Sequence, residues 1–167
     1  GSFTYTPQSD YVGSDNFKYK VNDGKVDSYH QKVVIGIGTD DVKSIPTLLI
    51  RIEYNDQIFT HSEAVWANKV FGNEMGELNH YYKSVSYDNF SLQSAIESSN
   101  SEDDGVITIA LNKTHPGNEN LRILADLSNA LTATNDFVNF AQFDTDENAI
   151  VSSDELLLMF VISGGES

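Results

Sequence analysis

A run of seven apolar residues near the end of the sequence sets the strongest limit on the fold. Leu156 to Ile162 reads LLLMFVI and contains no charged residue, glycine or proline. It is too short for a membrane helix, which needs about 20 residues, and it has the length of a strand. A strand that is apolar on both faces is typical of the centre of a sheet whose two faces are covered. The run therefore predicts a central strand in a layered domain.

Strand and helix patterns mix in the segment before this run. Apolar runs or alternation predict strands at 45–54, 90–96 and 106–111. Helical spacing predicts one helix that ends at Gly72, a second from about 77 to 85 and a third at 121–131. Thr60 to Glu63 has the form of a capping box for the first helix. We therefore predict an α/β (α+β) fold, with a mixed sheet and flanking helices.

The first 37 residues follow a different pattern. Apolar and polar residues alternate in three short runs, at 3–5, 17–21 and 33–35, with an Asn-Asp-Gly turn at 22–24. This alternation predicts a short antiparallel β segment of three strands. A complete β-sandwich needs about seven strands, so the segment is either part of a larger domain or a plain meander. We place this segment at 1–37, a polar linker at 38–45 and the α/β domain at 46–167.

Charge and composition limit the binding partners and the kinds of site that the chain can have. The 25 acidic and 10 basic residues give a net charge of −15, which argues against nucleic acid because phosphate binding needs clustered Lys and Arg. There are no cysteines, so disulfides and Cys-rich zinc sites are excluded. No run is long enough for membrane insertion. Because the sequence starts at Gly1 without a Met, we expect a piece of a longer protein, in which a missing export signal has no meaning.

An acidic stretch lies directly before the apolar run. Its oxygen-bearing residues follow the spacing of a twelve-residue EF-type calcium loop, at positions 1, 3, 5, 7, 9 and 12. The candidate ligands are Asp144, Asp146, Asn148, the Ile150 carbonyl, Ser152 (directly or through water) and Glu155. Val151 at position 8 is expected to turn inward.

One residue departs from the pattern of a calcium loop. Position 6 of such a loop needs a positive φ and is normally glycine, but here it is Ala149, at a cost of roughly 1 kcal/mol. The sequence therefore leaves two alternatives open: a structural calcium site and a solvated acidic turn.

No motif in the sequence indicates catalysis. His30, His61, His80 and His115 include no i, i+4 pair, so the H-E-x-x-H zinc motif is absent and each is expected to be an ordinary surface residue. The G-x-S-x-G pattern of serine hydrolases and the glycine loops that bind phosphates or dinucleotides are also absent. We predict no catalytic residue and no organic cofactor.

Two spaced patterns run through the first segment, G-x-F-x-Y-x-P and then Y-x-G-x-D-x-F-x-Y-x-V-x-D-G. The residues that carry them are Gly1, Phe3, Tyr5, Pro7, Tyr11, Gly13, Asp15, Phe17, Tyr19, Val21, Asp23 and Gly24. The segment resembles the second half of the cadherin-like or Ig-like repeats of large bacterial surface proteins. Such repeats are spacers or adhesive stalks, so the resemblance implies a secreted or surface-exposed parent protein.

A second set of motifs covers about residues 46 to 167. In order, these are a strand that ends in IEYND, a helix opened by THSEAV, an FG turn, YYKSVSY, the acidic stretch and a strand that ends in SGGE. The matching residues are Tyr54, Asp56, Phe71, Gly72, Tyr81, Tyr82, Ser86, Tyr87, Asp136, Phe137, Phe140, Asp144, Asp146, Gly164 and Glu166. The order is similar to the N-terminal part of the catalytic domain of secreted bacterial zinc metalloproteases of the immune inhibitor A type. Asp88 and Ala149 stand where that family usually has glycine.

The second resemblance implies a function for a longer parent protein. In that family the H-E-x-x-H helix, which supplies two zinc ligands and the general base, follows the strand at which this sequence stops. We therefore expect a fragment of a secreted or surface zinc metalloprotease that is itself non-catalytic and stabilised by calcium. Zinc and the protein or peptide substrates would belong to the parent. The alternatives are a calcium-dependent extracellular adhesion or interaction module without enzymatic activity, and a protease-derived pseudoenzyme.

Overall fold

The chain forms two compact units, Gly1–Val42 and Lys43–Ser167. The structure is a computed structural model that describes residues 4–9, 11, 13–37, 43–117 and 120–164. None of the helices in these ranges is long and apolar enough to cross a membrane.

The first unit contains a two-stranded antiparallel ribbon. Strand β1 (Gly13–Tyr19) pairs with β2 (Gln31–Ile37), and the central pair joins Asn16 to Val34. The alternating pattern predicts both strands correctly. The third predicted strand, at 3–5, is not found at Tyr5, which lies in irregular chain, while Phe3 is outside the described residues. The Tyr5 side chain instead donates a hydrogen bond to the Asp15 carboxylate at 2.7 Å.

The second unit is built on a four-stranded parallel sheet. Its strands are β3 (Lys43–Glu53), β4 (Phe90–Ser94), β5 (Val106–Ala110) and β6 (Leu157–Ile162). All three shorter strands pair with β3 in parallel. Thr47 pairs with both β4 and β6, and Leu49 pairs with both β5 and β6. Since a strand has only two edges, β4 and β5 follow one another along one edge of β3, and β6 lies on the other.

This arrangement confirms the predicted α/β fold class, with two differences. The sheet is predicted to be mixed, but every described strand pair in it is parallel. The apolar run of β6 is expected at the centre of the sheet, but among the described residues β6 pairs only with β3. The central strand is β3, whose Leu48, Ile50 and Ile52 are fully buried. Its eleven residues are long enough to pair with three partners, which a six-residue strand cannot do.

Helices cover both faces of the sheet. Helices α1 (Glu63–Phe71) and α2 (Leu78–Val85) pack on the face that carries Leu49, and α3 (Asn120–Ala133) packs on the face that carries Leu48 and Ile50. The apolar spacing predicts all three helices. The predicted capping box is wrong: Ser62 is the N-cap residue of α1 and makes no side-chain capping bond. The Glu63 carboxylate instead accepts a hydrogen bond from the Thr108 hydroxyl on β5 at 2.7 Å.

Candidate metal centre

The acidic stretch forms a loop at the amino end of β6, and apolar residues fix its ends in the core. Phe143, the last residue of a short 3₁₀ turn (Phe140–Phe143), and Leu156 are each 5% exposed. Between them Val151 packs against the same core cluster, which confirms that position 8 turns inward. The polar residues of the loop are thereby held between two buried anchors.

The first half of the loop is folded around Asp144. One oxygen of its carboxylate accepts a hydrogen bond from the Asn148 N–H at 3.0 Å, and the other accepts one from the Ala149 N–H at 2.8 Å. The Asp146 carboxylate accepts from the Asn148 backbone N–H and from its side-chain amide, at 3.2 and 2.7 Å. The Asn148 side-chain oxygen accepts from the Ile150 N–H at 2.7 Å. These bonds turn the chain so that both aspartates face the inside of the loop.

Glu155 closes the second half of the loop. Its Oε1 accepts from the Thr145 N–H, the Thr145 hydroxyl and the Asp146 N–H, at 2.7, 3.0 and 3.2 Å. Its Oε2 accepts from the Ser152 N–H and hydroxyl, at 2.8 and 3.0 Å. The Ser152 N–H makes the largest contribution to lowering the pKa of Glu155 to about 2, since all these donors favour the charged form. Sequence reasoning missed Thr145, because position 2 of a calcium loop supplies no ligand.

The loop brings three of the predicted ligands together. Carboxylate oxygens of Asp144, Asp146 and Glu155 lie within 4.8 Å of one another. Calcium takes oxygen ligands at 2.3–2.6 Å, so two ligands on opposite sides of one ion lie about 5 Å apart. Three such oxygens can therefore share one calcium ion. Among the described residues this is the only such group of three or more His, Asp or Glu side chains.

At Ala149, where the sequence departs from the calcium-loop pattern, the backbone conformation still matches it. Ala149 adopts φ +65°, the left-handed conformation that position 6 requires, and Glu147 adopts φ +58°. The other three predicted ligands are placed less directly. Asn148 and Ser152 use their side chains in hydrogen bonds within the loop, and the Ile150 side chain is exposed. The donor set of carboxylate, amide, hydroxyl and carbonyl oxygens suits a hard cation such as calcium.

A lysine side chain lies beside the loop. Lys43 Nζ is 2.8 Å from Asp154 Oδ1, and this pair joins the loop to the first residue of β3. Both side chains are more than half exposed, at 52% and 77%, so solvent and salt screen the pair. The remaining charge of the loop is negative.

A second group of titratable residues lies at the opposite, carboxyl end of the sheet. Asp126 on α3 is fully buried, accepts a hydrogen bond from the Tyr54 hydroxyl at 2.8 Å and forms an ion pair with Lys113. Burial and then the bond to Asp126 raise the pKa of Tyr54 above its usual range. The His115 ring packs edge-on against Tyr54, with ring centroids 4.8 Å apart. We interpret this group as a link between α3 and the sheet, because its carboxylate is already bound by two partners.

Comparison with known proteins bears on the first unit alone. Residues 1–37 match the family model described as the cadherin-like domain, which confirms the resemblance of this segment to cadherin-like repeats. Neither a curated protein nor a solved structure shows significant similarity to the chain. The resemblance of residues 46–167 to metalloproteases stays a prediction.

Proposed function

We propose that the chain is a calcium-stabilised module of an extracellular protein, with one calcium ion held by residues 144–155. The observation that carries the proposal is the convergence of the Asp144, Asp146 and Glu155 carboxylates within 4.8 Å, in a loop whose sixth position is left-handed. Asn148, the Ile150 carbonyl and Ser152 would complete the ligand set, directly or through water. The ion would offset the repulsion between three neighbouring carboxylates and stabilise the loop that precedes β6.

Thermal unfolding in a calcium titration tests this site. A ligand that binds only the folded state stabilises it by about 2.7 kcal/mol at a hundredfold excess over Kd, so the melting temperature must rise with calcium concentration. Asp144→Ala should abolish the rise. Glu147→Gln removes an exposed charge of the same loop at a position that supplies no ligand, and it should keep the rise. An unchanged melting temperature at millimolar calcium, or an equal rise in Asp144→Ala, would rule out the proposed calcium site.

For the parent protein we propose a secreted zinc metalloprotease, of which the α/β unit is the N-terminal part of the catalytic domain. The support is the order of the elements: β3, α1 up to Gly72, α2, two further strands, α3, the acidic loop and β6 follow one another as in that family. The chain itself lacks H-E-x-x-H, so we expect no peptide hydrolysis from it even with added zinc. The test is the sequence of a longer parent protein. An H-E-x-x-H helix after β6 with zinc-dependent hydrolysis is expected, and its absence would overturn the protease assignment.

The cadherin-like match favours a second candidate, a non-catalytic adhesion or interaction module. Cadherin-like domains are typically extracellular, which suits either candidate. Beads coated with the chain should then aggregate or bind cells in calcium and separate in chelator, and Asp144→Ala should weaken this behaviour. If the coated beads behave alike in calcium and in chelator, the chain has no calcium-dependent adhesive function.

A further inference from the structure

Two short segments of the chain have the sequence pattern of an N-glycan acceptor. The pattern Asn-x-Ser/Thr, in which x is not proline, occurs at 89–91 (Asn-Phe-Ser) and at 112–114 (Asn-Lys-Thr) and nowhere else in the sequence. In secreted proteins a glycan is joined to the asparagine side chain of this pattern. The pattern alone does not distinguish the two segments, so their contacts in the fold decide which asparagine is accessible.

The segment 112–114 lies in the loop after β5, and its middle residue fixes that loop in the fold. The Lys113 carbonyl accepts a hydrogen bond from the Asn55 N–H at 3.0 Å, and the Lys113 ammonium group forms the ion pair with the buried Asp126. The residues on either side, Asn112 and Thr114, are exposed, and their side chains make no hydrogen bond with any other described residue. The two groups that the pattern requires, an asparagine amide and a hydroxyl, are therefore both accessible.

The segment 89–91 has the same pattern, but its polar groups are already bound. The Asn89 side-chain amide donates hydrogen bonds to the Ser86 carbonyl at 2.8 Å and to the Tyr87 carbonyl at 3.3 Å. The Ser91 hydroxyl donates to the Ser44 hydroxyl at 3.2 Å, and Ser91 is buried. Because β4 begins at residue 90, the second and third residues of the segment also pair with β3. This segment cannot bend toward an enzyme without breaking the edge of the sheet.

The chemistry of glycan transfer requires an asparagine nitrogen that is free to react. The side-chain Nδ2 attacks C1 of the first sugar in an oligosaccharide that is linked to a lipid pyrophosphate. The bond between Nδ2 and C1 forms, the bond between C1 and the pyrophosphate oxygen breaks, and the lipid pyrophosphate leaves with the proton from Nδ2. At Asn89 the nitrogen must first lose two hydrogen bonds, whereas at Asn112 it loses none to the described residues.

We propose that Asn112 is the N-glycosylation site of this chain and that Asn89 is not modified in the folded protein. The glycan extends into solvent from the loop at the carboxyl end of β5, where Lys113 holds the modified residue close to the sheet. The proposal rests on the extracellular location proposed above, because this modification belongs to secreted chains. The calcium site and the protease assignment can each fail without affecting it.

Glycan transfer in vitro tests the proposal on the folded chain. The chain is incubated with a purified oligosaccharyltransferase that recognises Asn-x-Ser/Thr and with a lipid-pyrophosphate-linked oligosaccharide. The intact mass should rise by one glycan. A glutamate-specific protease then releases residues 78–97 and 103–119 as separate peptides, and only the peptide 103–119 should carry the glycan. In the denatured chain both peptides should be modified, because the contacts that protect Asn89 are lost.

Matched variants assign the modified residue. Asn112→Gln and Thr114→Ala should each abolish transfer to the folded chain, and both should fold because these side chains are exposed and unbonded among the described residues. Asn89→Gln should leave the transfer unchanged. A folded chain with no glycan on the peptide 103–119, or with equal modification of both peptides, would overturn the proposal. The melting temperature in the calcium titration is a separate readout, so this result and the proposed calcium site can be judged independently.

Discussion

Replacing Ala149 with glycine tests the left-handed geometry of the acidic loop. Ala149 has φ +65° and its side chain is exposed, so the methyl group gains nothing from burial and is strained by the backbone. Glycine adopts the same φ without penalty. We therefore expect Ala149→Gly to stabilise the α/β unit, although glycine is normally destabilising.

The size of the effect follows from two opposing terms. A left-handed alanine costs about 1–2 kcal/mol. The greater freedom of glycine in the unfolded chain offsets about 0.4–1 kcal/mol of the relief. The net gain is about 0.5–1 kcal/mol, which corresponds to roughly 2–5 °C in the melting temperature of a domain of this size.

A matched substitution in a helix provides the control. Ala125 is exposed in the middle of α3, where glycine costs about 1 kcal/mol relative to alanine. Far-ultraviolet circular dichroism at the helical band reports the α/β unit, because all three described helices lie there. Thermal unfolding in chelator should raise the melting temperature for Ala149→Gly and lower it for Ala125→Gly. A decrease for both variants would refute the left-handed assignment at residue 149.

Three further substitutions and one control test the packing and electrostatics of the fold. Tyr54→Phe removes one of the two donors to the buried Asp126 carboxylate. The free energy of unfolding in urea should fall by about 1–3 kcal/mol. An unchanged urea midpoint would mean that water reaches this carboxylate. Gly105→Ala should lower the free energy of unfolding by more than about 2 kcal/mol. Its φ is +74°, and the new Cβ would lie 2.9 Å from the Phe71 ring on α1 and 2.9 Å from the Ser94 Cα on β4. Gly24→Ala is its control in the first unit: φ is +92° but the Cβ would meet no atom, so only the backbone strain of about 1 kcal/mol remains. Glu155→Gln should reduce stability at neutral pH, because the depressed pKa of Glu155 means that its charged form stabilises the fold above its unfolded pKa near 4.5. The difference from the wild type should shrink as pH falls from there toward about 2, and a difference that stays constant over this range would contradict the assigned bonds.

The elements of the fold could be predicted from sequence because their signals are local. Periodicity alone places β3, β6 and the three helices close to their observed bounds. The order of the strands could not be predicted in this way, because pairing joins residues far apart in sequence. Thr47, for example, pairs with Ser94 and with Leu157. The capping box failed for the same reason: Thr108, 45 residues away, binds the glutamate that the motif assigns to the cap.

For the candidate metal site, too, the sequence predicts some features and not others. Spacing identifies Asp144, Asp146 and Glu155, because a calcium loop fixes the sequence positions of its ligands. It does not reveal that Thr145 and the Ser152 backbone bind Glu155, since any residue has a backbone N–H and position 2 has no required side chain. These contacts follow from the folded path of the loop.

The acidic loop and the apolar strand β6 are structurally coupled, so we expect them to open together. Glu155 holds both halves of the loop, and the next residue, Leu156, is buried in the core that β6 extends. The loop cannot open at Glu155 without pulling on Leu156, and β6 cannot leave β3 without releasing the loop. A cation bound among the carboxylates would therefore protect the amides of β6 that bind β3, such as Val161, as well as those of the loop. Protection confined to residues 144–155 would show that the two segments open independently.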